Sequence, residues 1–214
     1  MVMRLVVFGA TGGTGGRIVE QALASGHDVT AVVRNPERLP LRHERLRVVC
    51  ADVFTSAELG PLMVGADAVL SAIGPHSYRA ETTVCARSIQ SILGAMREVG
   101  VRRLACISAA PVGSAGKEDT SLYRYVARPL LRTVFKGVYA DLAVMEDEVR
   151  RSGSDWTIFR PPRLTNGFRT GRYRLGYDQG VVGASSISRA DLAEAMLFSL
   201  EDPAAIRTTI GIGY

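Results

Sequence analysis

Glycine residues cluster directly behind the first apolar run of the chain, in the stretch FGATGGTGGRI at residues 8–18. Gly9, Gly12 and Gly15 stand three residues apart within it. Glycine loses much conformational freedom on folding, so such a cluster indicates a backbone that turns tightly or approaches another group closely. Between a strand and a helix, this loop lets the amide groups of the helix N-terminus face a diphosphate. The alternative is a turn with a purely structural role.

Residues further along the chain refine the identity of this ligand. The hydroxyls of Thr11 and Thr14 can add hydrogen bonds to phosphate. NAD-selective loops of this kind are followed, about 20 residues later, by an acidic residue that holds the ribose 2′-hydroxyl. Here the second apolar run is followed by Arg34 and then Arg38. Arginine suits the 2′-phosphate of NADP through its charge and fork geometry, so the pattern favours NADP(H). The alternative is two surface arginines on a loop.

The elements that must position these residues follow from the alternation of apolar runs and amphipathic segments. The predicted strands are Arg4–Gly9, Asp28–Val33, Leu46–Cys50, Ala68–Ala72, Arg103–Ser108, Trp156–Arg160 and Arg207–Ile212. The predicted helices are Gly13–Ser25, Ser56–Met63, Ala80–Val99, Tyr139–Ser152 and Arg189–Leu200. Apolar strands alternating with helices are typical of a parallel sheet covered on both faces. We therefore predict an α/β fold with a doubly wound parallel sheet, in one domain over residues 1–214.

Two segments depart from this alternation. Residues 111–138 begin with a polar stretch and continue as a helix that we expect to break at Pro129. Residues 164–183 are rich in glycine, arginine and tyrosine and show no clear period. Both follow strands at the carboxyl edge of the predicted sheet, where open α/β sheets bind ligands. We predict that they cover the substrate.

Composition excludes several classes of protein. No apolar run reaches the ~18 residues that a membrane span needs, and the N-terminal run reads as a strand rather than a signal peptide. The three cysteines form no C-x-x-C pair, which predicts reduced thiols in a cytoplasmic protein and no metal site. Arginine supplies 24 of 26 basic residues, a bias that hints at a GC-rich bacterial genome. The arginines are spread without a basic stripe, so we expect an anionic small molecule rather than nucleic acid.

Taken together, these segments resemble a known superfamily. GATGGTG, VVRNPERL, ADVF, SAIG, CISAA and SGSDWTIFRPPRL occur in this order over essentially the whole chain. The chain is similar to atypical short-chain dehydrogenases/reductases, in particular to the NADPH-dependent flavin reductases around biliverdin reductase B, and to NmrA-like NAD(P)-binding proteins. The resemblance implies a Rossmann-type, three-layer αβα fold that binds NADP(H).

The resemblance also assigns residues to the parts of the cofactor. It implies that the adenosine and phosphate end contacts Gly9, Thr11, Gly12, Gly13, Thr14, Gly15, Arg34 and Arg38. It implies an adenine site at Asp52 and Val53, a central contact at Ala72, Ile73 and Gly74, and a nicotinamide end at Ser108, Pro161, Pro162, Arg163 and Leu164. The alternative role of Asp52 is to cap a helix or a turn.

The proton donors of related enzymes are missing from this chain. Typical short-chain dehydrogenases use Tyr-x-x-x-Lys, in which the lysine lowers the pKa of the tyrosine. No tyrosine here has a lysine four residues later: Tyr139 meets Ala143, and Lys136 precedes it. The biliverdin reductase branch carries a histidine after its double proline, whereas this chain has Arg163. A flavin or quinone can take its proton from water once hydride has arrived, so the sequence favours such a conjugated acceptor.

A few side chains remain as candidates for catalysis. Ser108 and Arg163 are the main candidates, and Tyr139 and His76 are weaker ones. The acidic residues of the predicted helix at Tyr139–Ser152 are expected on a solvated face, where they would pair with arginines one turn away; they are Asp141, Glu146, Asp147 and Glu148.

Three functions stay open at this point. The first is an NADPH-dependent reductase of a flavin, quinone or similar small molecule. The second is a non-catalytic NADP(H)-binding redox sensor, and the third is a redox-neutral dehydratase, epimerase or isomerase. In each case we expect a monomer or weak homodimer that binds neither nucleic acid nor membrane.

Overall fold

The computed structural model describes residues 1–74, 82–112 and 128–214. Its strands are β1 (Arg4–Phe8), β2 (Asp28–Val33), β3 (Leu46–Cys50), β4 (Ala68–Ser71), β5 (Arg103–Ile107), β6 (Asp155–Arg160), β7 (Arg163–Thr165), β8 (Arg174–Tyr177), β9 (Ser186–Ser188) and β10 (Thr208–Gly213). Its helices are α1 (Gly13–Ala24), α2 (Ser56–Met63), α3 (Val84–Val99), α4 (Arg128–Val134), α5 (Lys136–Arg151) and α6 (Arg189–Ser199). Single 3₁₀ turns lie at Pro36–Arg38, Ala110–Val112 and Pro203–Ala205.

Eight strands form one sheet in the order β3-β2-β1-β4-β5-β6-β10-β8 within the described part of the chain. Neighbouring strands run parallel from β3 to β10, and β8 closes the edge antiparallel to β10. β7 and β9 make a separate parallel pair. The predicted doubly wound parallel sheet is confirmed, and the antiparallel edge strand is an addition that the sequence did not indicate.

The apolar runs form strands because both faces of the sheet are covered. In β1, Leu5 and Val7 pack into a core shared with α1 and α6, while Val6 and Phe8 pack into a second core shared with α2, α3 and α5. Successive strand side chains point to opposite faces, so a strand buried on both faces reads as a continuous apolar run. The result is the predicted three-layer αβα arrangement.

The structure corrects the boundaries of the two irregular segments. Pro129 is the second described residue of α4, which runs from Arg128 to Val134; the residues before Arg128 lie outside the described part of the chain, so the break expected at Pro129 stays a prediction. α5 starts at Lys136, three residues before the predicted start. Residues 164–183 carry the end of β7 and all of β8, which the sequence did not reveal because such short strands have too few residues to show a period.

Candidate functional site

The chain reverses its winding direction at β1. It runs outward from β1 to β2 and β3, then returns to β4 on the other side of β1 and continues to β5 and β6. The loops that follow β1 and β4 therefore diverge and leave a crevice at the carboxyl edge of the sheet. Ligands of doubly wound sheets bind at such a switch point, and the predicted site residues follow the strands that end there.

The glycine loop is shaped by close contacts between backbone atoms. Gly9 has a φ of 75°, and a Cβ at this position would lie 2.6 Å from the Ala72 carbonyl oxygen. A Cβ on Gly15 would overlap the Gly9 carbonyl oxygen. The Gly12 N–H closes the turn by donating to that same oxygen at 2.9 Å. Any side chain at Gly9 or Gly15 would push the loop and α1 apart.

The N-terminus of α1 is open towards this loop. Its N-cap is Gly12, which has no side chain to cap the first turn, and the first turn contains no acidic residue. The first amide groups of a helix have no partner within the helix and carry a partial positive charge. The cradle that Gly9 and Gly15 keep open therefore fits an anionic group such as a cofactor diphosphate.

The predicted adenosine end lies beyond β2 and β3. Arg34 directly follows β2 and Arg38 ends the adjoining 3₁₀ turn, and both residues are exposed. The Asp52 carboxylate accepts from the Phe54 amide at 3.0 Å, and its own amide donates to Glu58 at 3.2 Å. Asp52 thus has the alternative turn-capping role, while its contact with adenine stays a prediction, as does that of its neighbour Val53.

The middle of the site is formed by the loop after β4. The Ala72 amide donates to the Phe8 carbonyl oxygen at 3.0 Å, which continues the pairing of β4 with β1 past the end of the strand. Ala72 thereby reaches Gly9, and Ile73 and Gly74 extend from there. His76, a weaker catalytic candidate, lies outside the described residues.

At the predicted nicotinamide end, the loops after β5 and β6 are joined. The Ser108 amide donates to Phe159 at 2.7 Å, and the Ala110 amide donates to the Pro161 carbonyl oxygen at 3.0 Å. Ser108 is only 6% exposed, yet its hydroxyl makes no hydrogen bond within the described residues. Buried hydroxyls are nearly always hydrogen-bonded, so the Ser108 hydroxyl retains hydrogen-bonding capacity for a group outside the described residues.

A buried carboxylate lies beside Ser108. Glu146 of α5 is 1% exposed in its side chain, and its two oxygens accept from Arg160 at 2.9 and 2.5 Å. Arg150 adds a third contact at 2.7 Å. Burial opposes ionisation, but hydrogen bonds and charge from Arg160, with smaller effects of the nearby Ser108 and Arg150, hold the pKa of Glu146 below its usual range. Glu146 is therefore an anion at neutral pH.

The expectation of a solvated acidic face on α5 is wrong for two of its four residues. Glu146 is buried in the ion-pair cluster, and Asp141 is 4% exposed. The Asp141 carboxylate accepts from the Cys85 and Ala86 amides at 3.0 and 2.9 Å, and so caps the N-terminus of α3. Asp147 is exposed and pairs with Arg150 and Arg151 as predicted, whereas Glu146 makes the predicted contact with Arg150 from a buried position.

The remaining candidates lie around the same edge. Tyr139 is half-buried on α5, with its ring against the second core and edge-on to Phe135 at a centroid distance of 6.1 Å. Arg163 is exposed on β7, followed by the half-buried Leu164, and Pro162 packs near the end of β10. Catalytic roles for Tyr139 and Arg163 stay predictions.

Sequence reasoning missed a buried carboxylate at the start of α6 that accepts several hydrogen bonds. The Asp191 carboxylate is fully buried and accepts from Thr170 (amide at 2.7 Å, hydroxyl at 2.9 Å), the Gly171 amide (2.9 Å), Ser188 (3.0 Å) and Tyr214 (2.5 Å). Burial opposes its ionisation, but these hydrogen bonds outweigh it and lower the pKa of Asp191. The spacing Ser188-x-x-Asp191 is a capping-box signal that was present in the sequence.

Comparison with known proteins places this geometry among nicotinamide-cofactor proteins. Residues 9–203 match the model of a family described as NAD(P)H-binding. A structure from Bacteroides thetaiotaomicron, described provisionally as an epimerase, is 31% identical, with a TM-score of 0.80 over 100% of this chain and 98% of that one. A structure from Streptococcus pneumoniae, described provisionally as an NADH-flavin reductase, is 26% identical, with a TM-score of 0.73 over 99% of both chains.

A short-chain dehydrogenase/reductase from Veillonella parvula shares the fold, with a TM-score of 0.83 at 19% identity over 100% of this chain and 94% of that one. The family match confirms the predicted similarity to NAD(P)-binding proteins, and the structure from Veillonella parvula shows that the fold is one that a short-chain dehydrogenase/reductase adopts. No helix in the described ranges has the length and apolar character that crossing a membrane requires.

Proposed function

This chain belongs to the NAD(P)H-binding family, and from that premise we propose that it is an NADPH-dependent reductase that delivers hydride to a flavin or quinone-like acceptor. The observation that carries the proposal is the Ser108 hydroxyl, which is buried beside the Glu146 carboxylate at the predicted nicotinamide end and makes no hydrogen bond of ordinary geometry within the described residues. A bound nicotinamide or acceptor would supply the missing hydrogen-bond partner. The structure from Streptococcus pneumoniae adds support at the level of the reaction class.

Different residues of the crevice would bind different parts of the cofactor. The open N-terminus of α1 and the Gly9–Gly15 loop would bind the diphosphate, and Arg34 and Arg38 would bind the 2′-phosphate. The loop Ala72–Gly74 would contact the middle of the cofactor. NADPH, when bound, supplies a hydride, which carries two electrons to the acceptor and leaves NADP⁺.

The electrostatics around Ser108 favour an acceptor that needs no protein acid. The only buried carboxylate described near Ser108 is Glu146, which Arg160 and Arg150 hold as an anion and which therefore has no proton to give at neutral pH. Hydride transfer leaves a flavin or quinone as the anion of its reduced form, which takes one proton from water. Reduction of a ketone develops an alkoxide, a strong base that depends on a positioned proton donor.

The test is enzyme-dependent loss of absorbance at 340 nm with NADPH and a panel of FMN, riboflavin, quinones and biliverdin. We expect turnover with at least one acceptor and none without acceptor. The Ser108→Ala variant should lose about tenfold in kcat/KM, the value of one hydrogen bond in the transition state. Its stability should fall little, because the hydroxyl makes no hydrogen bond within the described residues of the free protein.

Ser199→Ala is the matched control. Ser199 is also a buried serine, but it is the last residue of α6. Its hydroxyl donates to the Met196 carbonyl oxygen at 2.7 Å. This variant should lose stability and keep its turnover. NADPH binding without oxidation of NADPH by any acceptor would refute the reductase. Product formation without net loss of NADPH would favour a redox-neutral reaction instead, the alternative that the structure from Bacteroides thetaiotaomicron supports.

A further inference from the structure

A positively charged side chain from α6 crosses to the glycine loop. Arg189 is the first residue of α6, and its side chain lies over Gly13, the first residue of α1. A Cβ on Gly13 would stand 2.8 Å from Cδ and 2.9 Å from Nε of Arg189. Gly13 is not part of the three-residue spacing of Gly9, Gly12 and Gly15, and its lack of a side chain is what admits the arginine.

The position of Arg189 is fixed by neighbouring contacts. Gln21 of α1 donates to the Ala190 carbonyl oxygen at 2.8 Å, which holds the start of α6 beside α1. Nη1 of Arg189 donates to Asn166 Oδ1 at 2.7 Å. None of the ion pairs formed among the described residues involves Arg189. Its charge therefore has no carboxylate to balance it in the described protein.

This arrangement brings the positive charge of the Arg189 guanidinium close to the partial positive charge of the α1 N-terminus. A cation beside a helix N-terminus is unfavourable, because the first amide groups of the helix already carry a partial positive charge. Here the N-terminus of α1 has neither a capping side chain nor an acidic residue to offset the guanidinium. An anion that binds the amide groups and the guanidinium at once removes the conflict and gains a charge-assisted hydrogen bond.

We propose that Arg189 binds the cofactor diphosphate and, through Asn166, ties the segment 163–171 to the occupied site. The proposal rests on the proposed function, because it takes the diphosphate of NADP(H) as the anion. The far end of the segment is already held, since Asp191 accepts from the amides of Thr170 and Gly171. Between the two anchors the side chain of Phe168 is 93% exposed. Binding of cofactor would hold Arg189 more firmly and so strengthen the restraint that its contact with Asn166 already places on the near end of this segment.

The first experiment separates the diphosphate from the rest of the cofactor. Isothermal titration calorimetry of the wild type, Arg189→Ala and Arg97→Ala would use NADP⁺, ADP and 2′-AMP as ligands. We expect Arg189→Ala to bind NADP⁺ and ADP about tenfold more weakly, with 2′-AMP unchanged, because only the first two contain a diphosphate. Arg97 is an exposed arginine in the last turn of α3, on the other face of the sheet, and its removal should change none of the three.

Two results would overturn the assignment of Arg189: an unchanged affinity for NADP⁺, or an equal loss for all three ligands. Failure of the wild type to bind NADP⁺ would instead remove the proposed cofactor itself, and the role of Arg189 with it.

The second experiment tests the tether with the guanidinium left in place. Asn166→Ala should keep its affinity for NADP⁺ within about twofold of the wild type, since an exposed amide contributes little directly. In the wild type, NADP⁺ should slow hydrogen exchange of the amides in 163–168, and Asn166→Ala should lose this protection. Persistence of the protection in Asn166→Ala would show that the segment is not tied through this contact.

Discussion

The replacement of Glu146 by glutamine tests whether the buried ion-pair cluster stabilises the nicotinamide end. The substitution keeps the size of the side chain and removes its charge. Arg160 donates to both oxygens and is 21% exposed in its side chain, so most of the loss should come from this pair. Breaking a buried pair by removing one partner costs about 3 kcal/mol or more. Arg150 is 37% exposed and should contribute below about 1 kcal/mol, because solvent screens its charge.

The assay is urea unfolding of the wild type and Glu146→Gln at pH 7, with Asp147→Asn as the matched control. Asp147 is the next residue of the same helix, 59% exposed, and its contacts with Arg150 and Arg151 are 3.7 and 3.9 Å long. Its neutralisation should change the free energy of unfolding by less than about 0.5 kcal/mol. A loss for Glu146→Gln as small as that of the control would refute the reasoning.

The pH dependence gives an independent check. Because the folded protein holds the pKa of Glu146 below its unfolded value, the stabilisation is complete above the unfolded pKa and disappears as the pH falls through the folded one. The difference in unfolding free energy between wild type and Glu146→Gln should therefore be constant from pH 8 to pH 6. It should shrink below about pH 4, near the pKa of a glutamate in an unfolded chain. A difference that grows on acidification would contradict the assigned charge.

Three further predictions test other parts of the molecule. Replacing both Arg34 and Arg38 by alanine should weaken NADPH binding about tenfold to hundredfold in a fluorescence titration and leave NADH binding unchanged, and an equal loss for both would contradict the 2′-phosphate assignment. In the native protein a disulfide reagent should react rapidly with Cys50 alone, because Cys50 is exposed and the other two cysteines are buried. Burial above all, and then Asp141, raise the pKa of the Cys85 thiol to about 12, so rapid reaction of a second thiol would contradict this prediction. Asp191→Asn should speed tryptic cleavage between β7 and β8, because the carboxylate holds that segment at Thr170 and Gly171, and an unchanged rate would show that the segment has other anchors.

The central elements of the fold were predictable because their signals are local. β2, β3 and α2 have the predicted bounds, since an apolar run between polar or turn-forming residues leaves a pattern within a few residues, whether the strand is central like β2 or at the edge of the sheet like β3. The short strands β7, β8 and β9 were missed, because three or four residues carry no period. Their place depends on pairing with distant strands, such as Leu175 of β8 opposite Ile212 of β10.

The residues of the candidate site also differ in whether a local sequence signal could identify them. The glycine loop, the two arginines after β2 and Ser108 were recognisable from residue type and position after a strand. The acidic residues of α5 were not, because one sequence pattern fits both a solvated helix face and a face that meets Arg160 of β6. Burial of a charge depends on what packs against it, and that partner comes from another element.

The sequence by itself therefore determined a doubly wound α/β fold, a glycine loop after β1 that is predicted to bind an anion, and the absence of a tyrosine–lysine pair. Only the tertiary structure decided that the Ser108 hydroxyl lies buried without a hydrogen bond to any described residue, that Glu146 is an ion held by two arginines, and that Arg189 of α6 reaches Gly13 of α1. Periodicity and turn chemistry act between near neighbours in sequence. Hydrogen bonding and electrostatics between side chains depend on distances in space, which the chain sets only when its layers pack together.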